Sequence, residues 1–129
     1  MHVILSAILL ALAMVDLVLG TSFLVDPASG ATDFGLEIAS RHGESTLRGD
    51  MTAFFYVTAI SLAWGAWKRR GEVLLAALGL FGIAFTGRLI NLVLQGPYEG
   101  WMVPMGVEGF HCLVIILAIR AWGGSPSEA

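Results

Sequence analysis

Charge is scarce in this sequence: Asp, Glu, Lys and Arg make up 13% of 129 residues, about half the share of an ordinary soluble domain. A net charge of −3 with seven basic residues leaves no clustered Lys and Arg surface to track phosphates, which excludes nucleic acid as a partner. Cys112 is the only cysteine, so an intrachain disulfide is excluded and the side chain reads as a small hydrophobe. Only three histidines occur, and His2 and His42 lie outside the apolar runs, which excludes a paired-histidine haem site.

What is abundant is apolar side chain, 57% of the chain at a mean hydropathy of +0.80, more than one small soluble core can bury. It falls into four stretches, approximately Val3–Val25, Leu47–Trp67, Val73–Leu94 and Met102–Trp122. Each is long enough to cross a hydrocarbon core of about 30 Å. The sequence therefore predicts an all-α fold, a single four-helix bundle integral to a membrane. The first stretch reads as a retained helix rather than a cleaved leader, because only Met1 and His2 precede it and Asp16 interrupts it.

Lys68, Arg69 and Arg70 occupy the tight link between the second and third stretches, and positive links stay in the cytoplasm. Both termini are then expected inside, with Arg120 and the tail from Gly123 to Ala129. The loops at the other face are acidic overall, with Asp26, Asp33, Glu37, Glu44 and Glu99 against Arg41. Trp64, Trp67 and Trp122 mark one interface, and Tyr98 and Trp101 the other. The first outer loop, Asp26 to Thr46, is expected to be either a lid or a solvated connector. In it Phe34 and Ile38 suit one helical turn, whereas Phe34, Leu36 and Ile38 alternate as a short strand would.

At about 1.5 Å per residue, the polar groups within the helices fall in the outer half of the bilayer. Ionisable residues inside a membrane are functional candidates by default, at a cost of about 2.5 to 3.5 kcal/mol each on insertion scales. The sequence predicts a polar chamber of Asp16, Asp50, Arg88, Asn91, Glu108 and His111, with Arg48 near its mouth. Arg88 and Asn91 are three apart and share a face, as do Glu108 and His111. Arg48 and Asp50 diverge by about 200°, so only one faces inward; Asp50 is favoured, with Arg48 reaching to headgroups. The same charges also suit a purely structural lock on helix register. Glu108-x-x-His111 matches half of a carboxylate-bridged di-metal motif, but the other half is missing and Arg88 would repel a cation, so neither metal nor other cofactor is expected. Arg48-Gly49-Asp50 spells an adhesion tripeptide by chance, since a helix mouth cannot display it as a loop.

Several features together resemble a known group: Leu47-Arg48-Gly49-Asp50-Met51-Thr52-Ala53-Phe54-Phe55 opening the second helix, Gly87-Arg88 in the third and Glu108 in the fourth, with a Pro soon after the first. The pattern is similar to small bacterial four-helix membrane proteins of unknown function, distantly DoxX-like. The resemblance implies a bacterial inner-membrane location, the bundle architecture and inward placement of Arg48, Asp50, Arg88 and Glu108. It implies no reaction. Two function classes follow. In one, the chamber binds a lipophilic small molecule such as a lipid, quinone or isoprenoid, with possible acid/base chemistry in which Asp50 or Glu108 is the base, Arg88 stabilises charge, and Asp16, Arg48, Asn91 and His111 contribute to binding. In the other, the chain is a non-enzymatic subunit whose buried charges dock a membrane protein partner or a second copy.

Overall fold

A computed structural model describes residues 1–123; the expected cytoplasmic tail lies outside the described residues from 124 onward. Those residues form five α-helices and no strand: α1 (His2–Val25), α2 (Pro27–Asp33), α3 (Arg41–Lys68), α4 (Leu75–Gln95) and α5 (Met102–Trp122). A 3-10 turn, Gly71–Leu74, feeds α4. Three segments are long and apolar enough to cross a membrane, namely α1, the turn with α4, and α5. Helix α3 falls short of that apolarity because Thr52, Tyr56, Thr58 and Ser61 dilute it.

The starts and stops follow local chemistry. Asp26 ends α1 and caps α2, its Oδ1 accepting from the Ser29 N–H at 3.2 Å, with Pro27 pre-set in the first turn. Ser40 caps α3, its Oγ accepting from the Gly43 N–H at 3.1 Å, and Glu44 in the first turn complements the helix dipole. Arg69 takes a left-handed conformation, φ 50°, that ends α3.

The segment 26–46 departs from both expectations. Helix α3 begins at Arg41, six residues before the predicted Leu47, because the cap at Ser40 and the Glu44–Arg48 pair carry the helix beyond the apolar run. Neither the Phe34–Ile38 helical turn nor the strand forms. Instead α2 folds back onto α1 and α3 alone, and Phe34 at its end packs between Phe23 and Phe55, with ring centroids 5.4 and 5.9 Å away. Gly30 permits this approach, since a Cβ there would press on the Phe23 ring at 3.1 Å.

The long helices form a square. Helix α1 packs on α3 and α5, α4 packs on α3 and α5, and the diagonal pairs α1–α4 and α3–α5 lie farther apart. One inward stripe per helix builds the core: Leu5, Leu9, Ala13 on α1; Leu62, Ala66 on α3; Val114, Ile115, Ala118 on α5. At the end with the link between α3 and α4, Trp122 Nε1 donates to His2 Nδ1 at 3.0 Å and Ser6 Oγ donates to the Ala66 carbonyl at 3.3 Å. The α2 end is looser. Helix α4 fully buries only Ala77 and Phe81, both in its first half, and its last half is held to α5 by Arg88. A belt of exposed side chains, including Val18, Ile60, Ile83, Val93 and Leu113, surrounds the assembly, far more apolar surface than water tolerates.

Candidate functional site

The core stripes of α1 and α5 each contain polar members at one level. On α5 the stripe runs Met105, Glu108, His111, Val114 and Ile115, so Glu108 and His111 face inward one turn apart. On α1 the stripe Leu9, Ala13, Asp16, Gly20 carries Asp16 inward. Arg88 continues the α4 stripe that begins at Ala77 and Phe81, seven residues on and about 20° from Phe81.

One ion pair and one close histidine–carboxyl contact result. Arg88 Nε donates to Glu108 Oε1 at 2.8 Å, the glutamate side chain 10% exposed and the arginine 33%. His111 Nε2 lies 3.4 Å from Asp16 Oδ1, each side chain 1% exposed. The imidazole is oriented by its other nitrogen, Nδ1, which donates to the Val107 carbonyl at 2.8 Å, and by the Phe81 ring stacked on it at 4.1 Å. Tyr98, from the link after α4, stands beside the Arg88 guanidinium. Three buried polar atoms here lack a hydrogen-bond partner: Asp16 Oδ2, Glu108 Oε2 and His111 Nε2. Such orphans are rare and call for an occupant or a proton.

No family model, curated protein or solved structure matches this chain.

Three sequence expectations need correction. Asp50 is exposed and joins no ion pair among the described residues. The reason is phase: Thr52, Phe55, Ala59 and Leu62 set the buried stripe of α3, and Asp50, two residues from Thr52, points about 200° away from it. Arg48, one turn before Thr52, is the half-buried member, and it pairs with Glu44 at 3.0 Å rather than with the cluster. Asn91 is exposed as well, because three further residues rotate it about 60° off the Phe81–Arg88 line. Finally, the predicted cluster of six resolves into two pairs, Arg88 with Glu108 and Asp16 with His111, the Phe81 ring stacked on the imidazole. Two grooves of about 260 and 280 Å³ lie elsewhere, on faces of α4 (Leu89, Ile90, Val93, Leu94) and α1 (Met14, Val15, Val18, Leu19).

Sequence reasoning missed Glu44 as the partner of Arg48, although the i, i+4 spacing announces it. It also missed Phe81, whose signal was present only once the phase of α4 was fixed.

Proposed function

We propose that this chain is a bacterial inner-membrane protein of four spanning helices, both ends cytoplasmic, that binds the polar end of a lipophilic small molecule at Arg88 and Glu108. The fourth span is α3, whose mid-helix hydroxyls are bonded within the fold: Thr52 donates to the Gly20 carbonyl, Thr58 to Phe55 and Ser61 to Val73. A helix with its polar groups so occupied tolerates the bilayer. The orientation is supported by Lys68, Arg69, Arg70 and Arg120, which gather at the end that also holds His2 and Trp122.

One observation carries the binding reading: Glu108 is a buried carboxylate with one oxygen on Arg88 and the other, Oε2, on nothing. The third-exposed guanidinium is the part a ligand headgroup would reach first, and the unpartnered Oε2, closed off in this structure, would accept a donor from it once the headgroup enters. Any acid/base step would use Glu108 as base and Arg88 as charge stabiliser, without Asp50.

A specific observation favours the scaffold reading in its turn: the two pairs join α4 to α5 and α1 to α5, with Phe81 filling the space between. Mass spectrometry of the protein extracted in mild detergent separates the two. Binding requires a lipophile retained at defined stoichiometry; a clean apo-protein, or one carrying only bulk lipid in bulk proportions, supports the lock.

A further inference from the structure

The deeper half of the cluster is one positive charge short. The ionisable groups that face it are Asp16 from α1, Arg88 from α4, and Glu108 and His111 from α5, with the Cys112 thiol half-buried nearby. From α3 there is none at this level, since Arg48 is engaged with Glu44 and Asp50 is exposed. Arg88 balances Glu108. Asp16 is left with His111 as its sole neighbour of opposite potential charge, and no donor in the described residues reaches its Oδ2.

Hydrogen placement on the ring sharpens this. Nδ1 lies 2.8 Å from the Val107 carbonyl, and a carbonyl oxygen only accepts, so Nδ1 carries a hydrogen. A neutral ring then presents a bare Nε2 to the Asp16 carboxylate at 3.4 Å, two acceptors facing one another where neither is more than 1% exposed. That contact is repulsive, and the low dielectric magnifies it. A proton on either atom relieves it, giving imidazolium with carboxylate or imidazole with carboxylic acid. A bridging water would hold the two atoms farther apart, no third His, Cys, Asp or Glu among the described residues completes a metal site with them, and Phe81 closes one face of the ring.

We propose that Asp16 and His111 form a buried proton-binding site, holding one proton more than a neutral imidazole and a carboxylate would. The site opens toward one end only. Toward α2 the next polar group is Glu108, then the partly exposed Arg88; toward the link lie Leu9, Leu62, Ile115 and Ala118, all buried and apolar, and the hydroxyls of Thr58 and Ser61, each already donating to a backbone carbonyl, with no ionisable group among them. The pair is a one-ended proton store that ties α1 to α5, not a conduction path, and it stands whatever molecule Glu108 and Arg88 receive.

The test uses the full chain, labelled with ¹⁵N at histidine and reconstituted in lipid nanodiscs at neutral pH, with His111→Gln to assign the ring signals. Alongside it, infrared spectra of wild type and Asp16→Asn report protonated carboxyl groups. An imidazolium signature at His111 that reverts to neutral in Asp16→Asn supports the site. So does a protonated-carboxyl band that is present in wild type, shifts in D₂O and vanishes in Asp16→Asn. A neutral His111 together with no such band in wild type overturns it, and that result is read on wild type, so it requires no variant of Asp16 to fold.

Discussion

Replacing Arg88 by Met keeps most of the side-chain volume and removes the only cation paired with Glu108. The glutamate is then buried with neither oxygen engaged, since Oε2 already has no partner. Breaking a buried pair from one side costs about 3 to 5 kcal/mol. Arg88 is one-third exposed, so water or headgroups already screen part of its charge, and the lower end, about 3 kcal/mol, is expected. Glu108→Gln should cost less, about 1 kcal/mol, because the freed guanidinium reaches the surface while the amide keeps its hydrogen-bonding capacity. The double variant Arg88→Met/Glu108→Gln should recover to within about 1 kcal/mol of wild type, a coupling of about 3 kcal/mol. Arg41→Leu, on the exposed first turn of α3, should shift stability by no more than about 0.5 kcal/mol. Reversible unfolding in mixed micelles titrated with SDS, followed by circular dichroism, measures all four. Equal stabilities for Arg88→Met and Arg41→Leu, or a double variant as weak as the summed singles, would refute the reasoning.

The other expectations follow from the packing and the ends of the helices. Ser61→Ala strips the Val73 carbonyl of its donor at 2.6 Å and the Ala77 N–H of its acceptor at 3.3 Å, and should cost about 2 kcal/mol in the same unfolding assay. Gly65→Ala would drive a methyl into the fully buried Leu74 and should cost about 1 to 3 kcal/mol, whereas Gly82→Ala meets nothing and should be neutral or stabilising. In a Cys112→Ser background, Ser29→Cys should react with an impermeant thiol reagent on intact cells and Glu72→Cys should not; the reverse pattern would invert the proposed orientation.

The helices were largely legible because hydropathy and length are properties of short segments. The last helix runs from Met102 to Trp122 as read, and α1 and α4 differ from their predicted bounds by one or two residues. Helix α2 went unread although Asp26-Pro27 is a cap followed by a first-turn proline, a signal masked by the polar, glycine-containing stretch around it. At the site, the shared face of Glu108 and His111 follows from spacing alone, and both lie inward. Asp50 and Asn91 were misplaced for a different reason. Spacing fixes angles within a helix, but which angle faces inward depends on neighbours: on α3 the stripe from Thr52 to Leu62 excludes Asp50, and on α4 the Phe81–Arg88 line leaves Asn91 outside it. The pairing of Asp16 with His111 joins residues 95 positions apart in the chain, and only the adjacency of α1 and α5 reveals it.

The most direct test of the account compares what stays bound to wild type and to Arg88→Met/Glu108→Gln after mild detergent extraction, by native mass spectrometry of the intact protein. The binding account predicts a discrete lipophilic adduct on wild type that is lost from a double variant still folded by circular dichroism. The same adduct, retained in the same amount by both proteins, would contradict it.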